Sequence, residues 1–220
     1  MPEPWPSFIC ITGVDGTGKT THASAIVQQI RSGKKKCVYR WFHYAWFLSL
    51  PLLAYARLRG FSGYKLVEGQ SYGWWNFKRS RVLCHVLPWL MLVDAFFFAL
   101  IKIRLPILFG YTVVADRYIY DILVDLMQGI GEPQLHWRRV GRFFLKLVPR
   151  NSSVVLLDLD IEKLKARRDD LENDESLDAR SSHYHRLAHD MGVAIINTEY
   201  TEDEVHAKII DAILSSRGKK

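Results

Sequence analysis

Cysteine is scarce in this chain of 220 residues: three occur, Cys10, Cys37 and Cys84. An odd count does not close a disulfide framework and no two stand at metal-ligand spacing, so the expectation is a reduced cytoplasm. The segment Met1-Pro2-Glu3-Pro4-Trp5-Pro6 lacks a basic n-region and an apolar h-region, so no secretory signal is expected. Long apolar runs are missing too. Val86 to Ile101 is apolar except for Asp94, and Trp41 to Ala56 is rich in aromatics and leucine. Neither reaches the ~18–20 uninterrupted apolar residues of a spanning helix. A buried core or interface helix is expected there, and membrane contact is not favoured. No Asn-Lys pair exists from which a GTPase base-reading motif could be built. No helix-turn-helix, zinc-finger or single-strand stacking pattern points to nucleic acid as a partner.

What is present suits one α/β domain spanning residues 1–220. Hydrophobic residues make up 49% and charged residues 24%, enough to bury a core without disulfides or a structural metal. The net charge of +7 favours an anionic partner without choosing among nucleotide, nucleic acid and membrane. Strand-like segments alternate with helical ones, the pattern of a mostly parallel sheet. Strands are expected at Ser7–Thr12, Cys37–Phe42, Tyr111–Ala115, Val154–Leu159 and Gly192–Ile196. Ala23, Ile26, Val27 and Ile30 at i, i+3, i+4, i+7 predict a helix that Ser32-Gly33 ends, and Thr201 with Glu204 forms a capping box for a final helix. Two stretches resist this reading: residues 43–80, with many aromatics and glycines, and the acidic residues Asp169, Asp170, Glu172, Asp174, Glu175 and Asp178.

Gly13-Val14-Asp15-Gly16-Thr17-Gly18-Lys19-Thr20 satisfies the phosphate-loop pattern G-x-x-x-x-G-K-[ST], between an apolar strand and an amphipathic helix. Glycines let successive backbone N–H groups turn inward as an anion nest at a helix N-terminus. Lys19 can then reach the β- and γ-phosphates, and the Thr20 hydroxyl can take a place on Mg²⁺. Asp15 is not needed to hold ATP; it would sit between the phosphate cradle and an acceptor. The strand ending Val113-Val114-Ala115-Asp116 places an aspartate beside the loop, able to hold Mg²⁺ through water, and Arg117 next to it is a planar donor for an acceptor phosphate. His185 and His189, four apart on a predicted helix, lack a third metal ligand and are read as a solvated helix face.

These residues resemble the thymidylate kinase family of nucleoside monophosphate kinases. The resemblance rests on Gly13 through Thr21, on Asp116-Arg117-Tyr118, on Leu156-Leu157-Asp158 followed by Arg167, and on Asp94 standing before Asp116 at the family's spacing. It implies a P-loop kinase fold with a five-stranded parallel sheet flanked by helices, ATP and Mg²⁺ as cofactors, a nucleoside monophosphate acceptor, a lid near residues 167–180 and often a homodimer. By this likeness Gly13, Asp15, Gly16, Thr17, Gly18, Lys19, Thr20 and Thr21 bind ATP, and Thr20 and Asp116 serve the metal. Lys19, Arg117 and Arg167 are the expected catalytic residues. Asp15, Arg40, Phe42, Arg117 and Tyr118 are expected on the acceptor side. The chain departs from the family in three places. Arg40-Trp41-Phe42-His43 runs into the aromatic insert where members carry an Arg-Glu-Pro-Gly-Gly-like segment. Ala95 follows Asp94 where members carry a base-reading arginine. Gly16 and Thr17 supply no arginine from the loop, which leaves Arg167 or Arg168 for that role.

Three functions follow: a thymidylate kinase-like enzyme, a kinase of the same fold with a larger or lipid-linked acceptor, and a nucleotide-dependent switch. Residues 81–108 are expected to be a dimer seam. The insert at 43–80 replaces the segment that would contact the acceptor.

Overall fold

The computed structural model describes residues 5–42, 47–67, 70–168, 171, 174 and 176–216. Its strands are β1 (Phe8–Gly13), β2 (Cys37–Trp41), β3 (Ser62–Val67), β4 (Gln70–Trp75), β5 (Thr112–Asp116), β6 (Ser152–Asp158) and β7 (Ala194–Asn197). Its helices are α1 (Lys19–Ser32), α2 (Leu50–Leu58), α3 (Arg81–Ala99), α4 (Leu105–Leu108), α5 (Ile119–Ile130), α6 (Arg139–Leu145), α7 (Ile161–Arg167), α8 (Leu177–Met191) and α9 (Glu202–Ser215).

Strand β1 is buried along its whole length, and its side chains divide by parity. Phe8 and Cys10 enter one core layer, Ile9 and Ile11 the other. That is the alternation of a pleated strand covered by helices on both faces. Five strands form the expected parallel sheet, in the order β2-β5-β1-β6-β7. Against Ile9 and Ile11 pack Ala23, Ile26, Val27 and Ile30 of α1, with Val205, Ile209 and Ile213 of α9. The opposite layer is larger and holds α3, α5 and α8 through residues such as Leu87, Leu123 and Leu187. The Thr201–Glu204 capping box is present at the start of α9. This arrangement brings the carboxyl ends of β1 and β5 side by side, the place where open parallel sheets receive ligands.

Part of the segment without a clear period is a hairpin. β3 and β4 pair antiparallel, with Gly63 opposite Trp74 and Tyr64 opposite Gly73. A Cβ at Gly63 would lie 3.3 Å from the Trp74 ring, and one at Gly73 3.4 Å from Tyr64. Each aromatic therefore covers the glycine across from it, which restores to the strand the packing a glycine lacks. His43, Tyr44 and Trp46, which the sequence also placed in this insert, lie outside the described residues.

Continuity separates the observed apolar helix from the expected one. α3, a π-helical turn (Leu100–Arg104) and α4 run on without a break from Arg81 to Leu108, 28 residues in all. Among the described residues this is the one helix long and apolar enough to cross a membrane, yet only 39% of its most apolar window is buried. Neither Asp94, read from sequence as the break in the apolar run, nor Pro88 inside α3 stops it. Pro88 forfeits one backbone bond. Asp94 is buried and accepts hydrogen bonds from the backbone N–H groups of Phe47, Leu48 and Ser49 and from the Ser49 hydroxyl, at 2.6–3.0 Å. Those bonds hold the Asp94 carboxyl below its usual range although burial pulls the other way.

Candidate active site

The loop after β1 folds as the glycine spacing demands. Gly13 has φ 141, and a Cβ there would stand 2.3 Å from the Leu157 carbonyl oxygen, so only glycine lets β1 leave the sheet beside β6. Gly18, at φ 85, opens α1, which has no side-chain cap and no acidic residue in its first turn. An uncapped N-terminus presents backbone N–H groups and the positive end of the helix dipole to an anion. Thr17 is buried and donates to the Val14 carbonyl at 2.8 Å, closing the loop on itself.

Lys19 is buried at the loop's centre, with its ammonium 2.7 Å from the Val14 carbonyl and 3.4 Å from Asp15. Burial, helped by Arg117, lowers its pKa to about 8. Burial would raise the Asp15 carboxyl, but Lys19 and Arg117 outweigh it and hold Asp15 well below the usual carboxylate range. Arg117 itself ion-pairs with Asp15 and lies 3.7 Å from Asp121. It is a buried, non-glycine residue with φ 68, a sparsely populated conformation of the kind that collects at functional sites.

Behind Arg117 stands a carboxylate that the sequence reading passed over. Asp121 is buried at the first turn of α5 and accepts from the Thr12 hydroxyl (2.9 Å), the Tyr118 N–H (2.9 Å) and the Tyr184 hydroxyl (2.7 Å). Arg180, one turn before Tyr184 on α8, ion-pairs with Asp125 at 3.4 Å and adds positive potential at Asp15. A visible signal existed for both groups: Asp121 follows Asp116-Arg117-Tyr118 by one turn, and Arg180 and Tyr184 share a helix face.

On the other side of the loop, Asp116 Oδ2 accepts from the Thr20 hydroxyl at 2.5 Å and from the Tyr39 hydroxyl at 2.8 Å. Burial and the bond to Asp116 push the Tyr39 hydroxyl up, so it remains a donor. Asp116 Oδ1 is buried with no hydrogen-bond partner. A bare carboxylate oxygen beside a threonine hydroxyl fits an oxygen-ligated divalent cation such as Mg²⁺. Arg117 also carries a buried nitrogen, Nη1, without a hydrogen-bond partner.

Several expected site residues lie elsewhere. Phe42 and Tyr118, expected on the acceptor side, are core residues. Their rings meet edge to face at 4.8 Å, and the Tyr118 hydroxyl donates to the Leu147 carbonyl. Arg40 turns its guanidinium to the carbonyls of Tyr39 and Lys102. Arg167 donates to the Thr198 carbonyl at 3.2 Å, whereas Arg168 brings Cδ within 3.3 Å of where a Gly16 Cβ would be. Arg168, not Arg167, is therefore the arginine beside the loop. Thr21 is exposed on α1. Of the expected lid, Asp169, Asp170, Glu172 and Glu175 lie outside the described residues. His185 and His189 are engaged separately, by Asp158 at 3.0 Å and Asp190 at 3.3 Å.

Together these groups gather a helix N-terminus without a side-chain cap, a buried ammonium, a carboxylate with one unbonded oxygen and a buried guanidinium around one glycine loop. No protein-family model and no curated protein matches this chain.

Proposed function

We propose that the chain is a P-loop phosphotransferase, similar to thymidylate kinases, that moves the γ-phosphoryl group of ATP to a nucleoside monophosphate. The observation that carries this reading is the pair of unsatisfied buried atoms flanking the loop. Asp116 Oδ1 suits a cation, and Arg117, whose Nη1 makes no hydrogen bond and has Asp121 at 3.7 Å, suits an anion. A buried guanidinium whose hydrogen-bonding capacity is not filled supports an acceptor anion over a switch protein that takes none.

In this reading the nest and Lys19 hold the β- and γ-phosphates, and Thr20 and Asp116 hold Mg²⁺, which when bound neutralises charge on the phosphate oxygens. Arg117 holds the acceptor phosphate in line. An acceptor oxygen attacks the γ-phosphorus as the bond to the ADP oxygen breaks, and the electron pair leaves with ADP. A dianionic acceptor brings its own nucleophile, so the protein supplies position and charge rather than a base. Asp121 positions Arg117, and Arg168 is placed to cover the transferring group.

A second reading keeps the chemistry and changes the acceptor to a larger, apolar-linked phosphate. It is favoured by Ala95 and Asp94. Ala95 is wholly buried, and Asp94 is spent on the 47–49 backbone, so neither faces a base. The deciding experiment is ADP release from ATP–Mg²⁺ with dTMP, dUMP and the other monophosphates. Stimulation by one of them is expected, and Lys19→Ala should lower that turnover by ~10²–10³-fold, the cost of removing one preorganised charge. No stimulation by any monophosphate would retire the first reading in favour of the second, and near wild-type turnover in Lys19→Ala would retire both.

A further inference from the structure

The helix from Arg81 to Leu108 has two faces of unlike company. Leu83, Leu87, Met91, Ala95, Ala99 and Ile103 are buried in the core. Val82, Val86, Trp89, Val93, Phe96 and Leu100 recur at steps of four and three and are all exposed. Such steps keep side chains in one line along a helix. Leu105 and Leu108 carry the stripe to the end, where Leu108 is 80% exposed.

The stripe continues into a cluster of cations. The Trp89 ring lies 6.0 Å from Phe143 of α6, and the Lys146 ammonium lies 5.1 Å over the Phe143 ring. Lys146 then shares an open cavity of about 740 Å³ with Arg104, Val148 and Arg150. None of these three cations is in ion-pairing reach of a described carboxylate. Between Glu68 and Asp116 the only acid is Asp94, which is buried, and between Glu132 and Asp158 there is none. The surface is apolar and basic, and among the described residues no carboxylate pairs with its three cations.

We propose that this face docks the chain peripherally on an anionic lipid bilayer. Exposed aromatics and leucines would enter the headgroup boundary, with Arg104, Lys146 and Arg150 on the phosphates. The helix lies on the bilayer rather than through it, because its other face carries the core and cannot leave. Its charge decides between occupants. A second copy offers Arg104, Lys146 and Arg150 no carboxylate from the same face among the described residues, whereas an anionic leaflet complements them. The inference is independent of which acceptor the kinase site takes.

The test is co-sedimentation of the full chain with phosphatidylcholine vesicles with and without phosphatidylglycerol. Two variants accompany it, Arg104→Glu/Lys146→Glu/Arg150→Glu and Leu108→Asp, each checked by its thermal melt. The native chain is expected to sediment with the anionic vesicles and to be released by salt, and each variant is expected to lose at least about tenfold in partitioning while melting as the native chain does. Three results would overturn the proposal: no sedimentation with either vesicle, sedimentation indifferent to the charge reversal, or a stable solution dimer that Leu108→Asp splits and vesicles do not.

Discussion

The loop beside β5 and the outer face of the 81–108 helix follow opposite rules. At the loop, charge is buried and held by partners within the chain: Arg117 by the carboxylates of Asp15 and Asp121, Asp116 by the hydroxyls of Thr20 and Tyr39. On the helix, apolar side chains stand in water, and the cations Arg104, Lys146 and Arg150 at its side pair with no carboxylate among the described residues. Both arrangements cost stability in isolation, since buried charge is desolvated and exposed apolar surface is hydrated. The first is compensated inside the molecule. The second is compensated only by something outside it.

The largest expected effect that tests this contrast comes from Arg117→Ala. It strands Asp15 and Asp121, so unfolding stability should fall by ~3–5 kcal/mol, read from a denaturant midpoint. If Arg117 holds the acceptor, the acceptor KM should also rise ~10–100-fold while the ATP KM moves much less. Equal changes in the two constants would make Arg117 a structural ion-pair partner alone. Arg117→Lys keeps the charge and loses the fork, and should recover stability better than it recovers the acceptor KM.

The same contrast explains what could be read from sequence. All five strands of the parallel sheet were legible, because a buried parallel strand is a short apolar run and the loop glycines mark where β1 ends. That Lys19, Thr20, Asp116 and Arg117 come together was legible, because the glycine loop and the end of the apolar strand put them at neighbouring strand ends. Asp121, Arg180 and Tyr184 were passed over: their helical spacing is visible, but what they contact is set by long-range packing that no local motif announces. The β3–β4 hairpin was hidden for a different reason. Its glycines break the strand signal, and the cross-strand rings that cover them become visible only once the strands are paired. Phe42 and Tyr118 went the other way: the likeness put them on the acceptor side, but just past β2 and just before α5 both rings turn into the core.

Asp94, a buried charge in the same helix, gives the intermediate effect. Its carboxylate accepts four hydrogen bonds from residues 47–49. Asp94→Asn replaces one acceptor oxygen by a donor and should cost ~1.5–3 kcal/mol. Because the folded carboxyl titrates below its unfolded value, its contribution is complete above that value, ~3.9, and is lost as pH falls through the folded one. The stability gap between native chain and Asp94→Asn should therefore hold from neutral pH to about 4 and close below it. A gap that stayed constant into acid would mean that the carboxylate charge is not what anchors the 47–49 segment.

The smallest effect is the most informative about the outer face. Leu108 is four-fifths exposed, so Leu108→Ser removes little that folding buries and should change stability by no more than ~0.5 kcal/mol. A leucine in the core of the same helix, Leu87, would lose ~2–5 kcal/mol on truncation. If Leu108→Ser instead destabilised the chain by an amount near the core value, and did so more at high protein concentration, the outer face would already be covered by a second copy in solution. A silent substitution in the melt leaves the stripe with no role in folding, and a residue type that water disfavours must then owe its place to a surface the chain meets after it has folded.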